Sequence, residues 1–296
     1  MNLPESFYEG TVIRPPSEAE SLILQITLGC TDNSCIFCPA YKDKKFKVKD
    51  MGRIENEIKQ AAMMFPDTRR IFFADGDAIA MEQAALKHVF ELVNYHFREL
   101  SRVGIYGSVK SLEHKSLDDL AGLKLLKLRT VYLGFETGDA EVYKMICKHG
   151  SPEGNAAACL KLKAAGLTTN VTVILGLGGK DMSRQHAVNT AKILNRAQPD
   201  QIAALTLIIA EGTKLNDKMK RGDFKPLADF DFLEELELLL ENMEDFRCQF
   251  FANHASNYFP IKARFPRDKA GVIASLRRAI GNREKSGLTP EWLRGL

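Results

Sequence analysis

The chain has 296 residues, of which 45% are apolar and 27% charged, and its formal net charge is +3. That balance is ordinary for a globular chain, and the charge is too small to argue for nucleic acid by itself. The longest apolar stretch, Ile202 to Ala210 broken only by Thr206, falls far short of the roughly 20 residues a spanning helix needs. Met1 to Gly10 holds two acids and no apolar run, so no signal peptide is expected there.

Strand-like and helix-like segments alternate along the chain. Leu22–Leu28 reads as a strand, and Gly52–Phe65 reads as a helix. Arg70–Phe73 and Glu82–Leu100 repeat that order, followed by Val103–Tyr106 with Leu117–Leu126. Thr130–Leu133 precedes Ala140–Ala165, which is expected to break near Pro152. Thr169–Leu175 precedes Arg184–Ala197, and Gln201–Leu207 precedes Asp231–Met243. The strands are short and mostly rich in Ile, Val, Leu and Phe, as strands buried on both faces are. In the last helix Phe232, Leu236, Leu239 and Leu240 recur at helical spacing. Six β-then-α units in series point to an α/β barrel or an open parallel sheet. Arg221–Phe230 is polar and reads as a loop or a boundary. Asn253–Lys269 shows no clear periodicity, and Ala270–Ile280 looks helical.

Six cysteines are present, and only Cys30, Cys35 and Cys38 cluster. Cys147, Cys159 and Cys248 are scattered, unlike a disulfide framework, which suggests a reducing cytoplasmic compartment. Cys30 falls just past the first strand, where parallel α/β folds gather their chemistry. The C-x4-C-x2-C spacing admits four readings. Structural zinc normally takes four ligands, often as two C-x2-C pairs, and only one such pair exists here; His114 and His149 are distant. A plant-type two-iron cluster uses this spacing with a fourth cysteine, and the next one, Cys147, lies far downstream. Three metal-free thiols would suit burial as small hydrophobes but fit a polar loop badly. A four-iron cluster held at three corners, with one iron left open, fits the three-thiolate set best.

At Cys30-Thr31-Asp32-Asn33-Ser34-Cys35-Ile36-Phe37-Cys38 the chain resembles the radical S-adenosylmethionine (SAM) enzymes. Their usual spacing is C-x3-C-x2-C with an aromatic before the last cysteine, a place taken here by Phe37. The first gap is one residue longer, and Asn33 and Ser34 suit the added turn. Ala74-Asp75-Gly76-Asp77-Ala78 stands in the place of the family's Gly-Gly-Glu-Pro, with Asp77 supplying the negative charge for the cofactor's ammonium. Leu133-Gly134-Phe135-Glu136-Thr137-Gly138 is similar to Gly-x-Glu-Ser-Gly, whose glutamate faces the cofactor; a carboxylate there can accept both ribose hydroxyls. Leu175-Gly176-Leu177-Gly178-Gly179 resembles the Gly-Leu-Pro-Gly segment beside the adenine. Thr206 and Glu211-Gly212-Thr213 are close to a Pro-Gly-Thr pattern at the sixth strand. The subgroup resembled is that of oxygen-independent coproporphyrinogen oxidase and the Elongator-like domains.

The resemblance implies a partial (β/α)6 TIM-like barrel over residues 1–215 and a short C-terminal extension, 216–296, packed on the core and facing substrate. It implies a [4Fe-4S] cluster on Cys30, Cys35 and Cys38, with SAM bound on the open iron. Phe37, Gly76, Asp77, Glu136, Leu175 and Gly176 are the implied cofactor contacts. One-electron cleavage of SAM would give methionine and a 5′-deoxyadenosyl radical that takes hydrogen from a substrate. The electron would come from a reductant such as flavodoxin or ferredoxin. Lys144, Lys148 and Arg184 are candidates to hold the SAM carboxylate.

The substrate side is sought in Phe250–Lys269, where Asn253, His254, Ser256, Asn257 and Tyr258 precede Lys262, Arg264, Arg267 and Lys269. His254 and Tyr258 are the catalytic candidates there, and the basic residues could meet a carboxylate or phosphate of a small or medium-sized substrate. A solvated loop would show the same composition. No second cysteine cluster is seen, which disfavours methylthiotransferases. RNA modification gains no support from the balanced charge, and no membrane association is expected. A non-catalytic iron–sulfur protein for electron transfer or sensing is the alternative class.

Overall fold

The computed structural model describes residues 3–285 and 287–295. It divides into two compact units. The first takes the chain through Asn33, then Ala40–Leu133 and Lys161–Thr169; the second takes Ser34–Pro39, Gly134–Leu160 and the chain from Asn170 onward.

In the first unit the predicted strand Leu22–Leu28 is two strands, β1 (Leu22–Gln25) and β2 (Thr27–Leu28), and β2 pairs antiparallel with β3 (Lys47–Val48). Helix α1 (Met51–Met64) starts where the Asp50 carboxylate accepts from Arg53 N–H at 3.0 Å, an N-cap that satisfies an otherwise unpaired donor. Then come β4 (Arg70–Ala74), α2 (Gln83–His96), β5 (Arg102–Gly107), the short α3 (Val109–Glu113) and α4 (Leu117–Leu125), capped by a Ser116/Asp119 box. Strand β6 (Leu128–Glu136) begins in this unit. β1, β4, β5 and β6 are parallel neighbours.

Alternation on these strands separates two faces. Leu22, Leu24, Ile71, Phe73, Val103, Ile105 and Val131 are buried toward the helices, with Phe73 meeting Phe90 of α2 edge-on at 5.1 Å. The other face carries Ile23, Phe72, Ala74 and Tyr132, over which Tyr8, Val12 and Tyr106 pack. Burial on both faces is why these segments read as unbroken apolar runs.

The second unit holds α5 (Ala140–Met145), which ends well before Pro152, and most of α6 (Pro152–Ala164). Proline suits the first turn of a helix, where its missing N–H is not needed. β7 (Thr168–Leu175), α7 (Gly179–Ala197), β8 (Gln201–Thr206), α8 (Lys214–Lys220) and α9 (Asp229–Asn242) follow. β9 (Cys248–Phe251), parallel to β8, comes next, and the stretch expected to lack periodicity holds β10 (Lys262–Phe265), antiparallel to β9, before α10 (Lys269–Gly281). Among the described residues eight strands form an open order from β1 to β10 in a mixed α/β fold, in keeping with a partial TIM-like barrel. No described helix is long and apolar enough to cross a membrane.

Candidate cofactor site

In the first unit the approach to Cys30 is fixed by backbone contacts. Gly29 follows β2 with φ of 73°, a conformation glycine adopts without penalty. Its N–H donates to Asp75 Oδ2 at 2.9 Å, and its carbonyl accepts from Gly76 N–H at 3.1 Å. A Cβ on Gly76 would lie 2.8 Å from Cys30 Cβ and 2.9 Å from the Tyr41 ring, so no other residue fits between them. Asn33 Nδ2 donates to the Tyr41 and Lys44 carbonyls at 2.6 and 3.1 Å, folding the loop back on itself.

Two carboxylates stand behind this loop. Asp75 is buried, and its Oδ2 also accepts from Gln25 Nε2 at 3.1 Å and Lys44 Nζ at 3.2 Å, while Oδ1 has no hydrogen-bond partner among the described residues. Burial raises its pKa above the ordinary carboxylate value, and the Gly29 N–H and Lys44 oppose that. Asp77 is also buried. It accepts from the Thr31 hydroxyl, Ser108 N–H at 3.0 Å, Ser108 Oγ at 2.7 Å and Ser111 Oγ at 2.5 Å. Burial again raises its pKa, against the pull of these donors. The sequence reading turns Asp77 toward a cofactor ammonium. The structure surrounds it with the protein's own donors, so it joins Thr31, beside Cys30, to the ends of β4 and β5. Ser108 and Ser111 belong to no motif, and the sequence reading misses them; Thr31 stands inside the cysteine motif, where that reading gives it no role.

In the second unit the Ser34–Pro39 segment is pinned at Ile36, which is buried. Ile36 N–H donates to the Ile146 carbonyl at 3.0 Å, and its own carbonyl accepts from Leu215 N–H at 3.0 Å. Ser34 Oγ donates to the Cys147 carbonyl at 2.6 Å. Cys35 is buried and Cys38 half-buried, with Phe37 half-buried between them. Cys147, remote in sequence, thus has its backbone beside the cysteine segment, and its thiol is exposed. Among the described residues no three or more His, Cys, Asp or Glu are gathered as a site for a single metal ion.

Glu136 ends β6 with φ of 63°, an uncommon conformation for a residue with a Cβ. Its carboxylate turns back over Gly134, where a Cβ would stand 2.1 Å from Glu136 Oε1, and Lys148 Nζ lies 3.8 Å from the same oxygen. Of the three candidate cations Lys148 is therefore the one beside Glu136; Lys144 and Arg184 are exposed. Gly138, last in the same motif, donates its N–H to Thr190 Oγ1 at 2.9 Å, and a Cβ there would fall 2.5 Å from Thr190 Cα and 2.6 Å from the Asn189 carbonyl. Backbone cannot yield as a side-chain tip can, so Gly138→Ala is expected to cost about 3 kcal/mol, read as a lower urea midpoint at unchanged m-value.

Leu175 closes β7 and is buried; its carbonyl accepts from Leu207 N–H at 3.0 Å. Gly176 has φ of 85°, and a Cβ there would sit 2.3 Å from the Phe232 ring of α9.

The dense polar run of the C-terminal segment largely serves the fold. Thr206 donates its N–H to Ser256 Oγ at 3.2 Å and its hydroxyl to Asn257 Oδ1 at 2.9 Å. His254 Nδ1 lies 2.9 Å from Ser256 Oγ, and burial lowers its pKa. The Tyr258 hydroxyl donates to Glu291 at 2.5 Å, and the Arg294 guanidinium lies 3.8 Å over its ring. Burial first, then the Glu291 carboxylate, raise the Tyr258 pKa. Arg267 and Lys269 are paired with Asp268 and Asp245, and Lys262 and Arg264 are exposed.

Residues 24–192 match the model of the radical SAM superfamily. An uncharacterized protein of Methanocaldococcus jannaschii is 23% identical over 290 residues, covering 92% of this chain and 79% of its own length. Coproporphyrinogen III oxidase of Escherichia coli, a radical SAM enzyme, superposes with a TM-score of 0.57 at 18% identity, over 75% of this chain and 52% of that one. Methylornithine synthase gives 0.54 at 16% identity, over 75% and 63%. Methanocaldococcus infernus Elp3 gives 0.50 at 16% identity, over 79% and 59%. The chain thus spans between about half and just under two thirds of these solved structures, which share its fold. With more than half of its length matched by that model, the chain belongs to the radical SAM superfamily of enzymes.

Proposed function

We propose that Cys30, Cys35 and Cys38 hold a [4Fe-4S] cluster as thiolates and that SAM occupies its open iron. The observation that carries this reading is the cysteine motif itself, three thiols inside nine positions. The donor set fits the group: three soft sulfur ligands suit an iron–sulfur cluster. Together the cluster and SAM would supply one-electron cleavage of a sulfonium carbon–sulfur bond and a 5′-deoxyadenosyl radical. The protein's part is to bind, orient and exclude water.

In this reading Gly76 gives close backbone access beside Cys30, and Asp77 holds the loop through Thr31. Phe37 lies between the thiols and packs beside the cofactor. Glu136 accepts the ribose hydroxyls, with Lys148 fixing its orientation or taking the SAM carboxylate. Leu175 and Gly176 line the adenine side. Residues 1–215 carry this machinery and 216–296 extend it. The substrate is a small or medium-sized organic molecule, with flavodoxin or ferredoxin as reductant in a cytoplasmic setting. His254 and Tyr258 remain candidates for its handling.

The alternative, an iron–sulfur electron carrier, is separated by electron paramagnetic resonance of the reduced, anaerobically reconstituted protein. Adding SAM is expected to change the cluster spectrum, because SAM would ligate one iron. An unchanged spectrum would favour the carrier.

A further inference from the structure

We infer that Glu235, on α9 within residues 216–296, is a positioning residue for the Gly176–Gly179 loop and so for the adenosyl end of SAM. The inference rests on the proposal that this loop lies beside the adenine. The Glu235 side chain is fully buried. One oxygen accepts from Gly176 N–H at 2.6 Å and lies 3.0 Å from His186 Nδ1; the other accepts from Ser183 Oγ at 2.5 Å. Ser183 and His186 belong to the first turns of α7, which starts at Gly179. A single carboxylate therefore ties the loop to the helix it leads into. With His186 protonated at Nδ1, that N–H donates to Glu235. The buried Nε2, which has no hydrogen-bond partner among the described residues, is then a bare acceptor, less costly than an orphaned N–H.

Packing alone does not call for an acid here. The neighbours Leu233, Leu236, Leu239 and Leu240 are buried leucines, and a buried carboxylate is unfavourable unless its oxygens are fully engaged. All three of its donors come from the loop and the helix after it. Phe232, three residues earlier and so on the same helical face, occupies the space a Gly176 side chain would need. Lys180 N–H, next to the loop, donates to the Lys225 carbonyl at 2.8 Å. Gly176, left-handed at the start of the loop, is thus held from one side by ring and carboxylate. The extension, expected to face substrate, here braces the loop given to the cofactor.

The test uses anaerobically reconstituted holoprotein and S-adenosyl-L-homocysteine as the probe. Its Kd is measured by equilibrium dialysis alongside iron content, with amide hydrogen exchange of residues 176–179. Glu235→Ala is expected to raise Kd about tenfold, with iron unchanged and exchange at Gly176 accelerated. Glu235→Gln keeps an acceptor for Gly176 N–H and is expected to stay within about threefold. Glu235→Asp, which keeps the charge but draws the carboxylate back by one methylene, covers the case in which the alanine variant fails to fold; it is expected to weaken binding about fivefold. An unchanged Kd in the alanine or aspartate variant overturns the inference, as does a glutamine variant as weak as alanine. If the wild-type holoprotein binds no probe at all, the cofactor reading itself falls and takes this inference with it.

Discussion

Cys35→Ala is expected to abolish both the iron–sulfur absorbance and SAM cleavage, lowering turnover at least about a thousandfold. The cube would keep only two of its thiolates, and a ligand lost from a buried position is not replaced by water without exposing the cluster. Cys147→Ala is the necessary companion. Its backbone meets the cysteine segment through Ser34, so a fourth thiolate is close enough to be worth removing. Iron content and SAM cleavage are expected to be unchanged in that variant. If Cys147→Ala lost iron as Cys35→Ala does, the cluster would have four protein ligands, and the open iron would be gone.

Asp77→Ala should be the most damaging substitution outside the cysteines. It would leave the Ser108 N–H and three hydroxyls facing a buried void, and unsatisfied buried donors cost about 1–3 kcal/mol each when no water replaces the partner. A net loss of about 3–5 kcal/mol is expected by urea unfolding of the apoprotein, together with faster loss of iron to a chelator, because Thr31 would no longer anchor the loop beside Cys30. Asp77→Asn should cost less, since the shape and one acceptor remain and rotatable hydroxyls can accept from the amide.

The same pair gives a pH signature. Burial holds the Asp77 pKa above the ordinary carboxylate value in the folded protein. Between that ordinary value and the raised native one, the native state binds the extra proton. Wild-type stability then rises as pH falls, whereas the asparagine variant has no such group. The wild-type-minus-asparagine difference should therefore shift in favour of wild type on acidification through that window and be flat above it. A difference that shifted the other way would mean that the donors, not burial, dominate the carboxylate.

The central strands were legible where burial on both faces writes uninterrupted Ile, Val, Leu and Phe into the sequence, as in Ile71–Phe73, and where buried Val171, Val173 and Leu175 alternate with half-buried Thr172 and Ile174. β9 and β10 were hidden for the opposite reason. Each alternates over only four residues, with Lys262 and Arg264 outward and Ala263 and Phe265 inward, and Pro260 and Pro266 flank the second strand. α7 starts earlier than its periodicity suggests because Gly178 and Gly179 look like a turn. The short α8 is polar, and its one local signal was the Thr213 cap, whose hydroxyl accepts from Asn216 N–H at 3.2 Å.

In the proposed site, the sequence marks the residues whose type and spacing the chemistry would demand: the three cysteines, Gly76 and Glu136. It was silent where distant elements supply support. Nothing near Thr31 announces Ser108 and Ser111, and nothing in a leucine-rich helix marks Glu235 as a partner of Gly176. Asp75 carried a faint signal, since an acid in place of a glycine at a strand end needs a partner, and Lys44 is that partner.

The most direct measurement is 5′-deoxyadenosine formation by the anaerobically reconstituted wild-type protein given SAM and dithionite. The account predicts 5′-deoxyadenosine and methionine in equal amounts, from protein carrying about four irons per chain. Iron-loaded protein that left SAM intact, or oxygen-free material that carried zinc in place of iron, would contradict it.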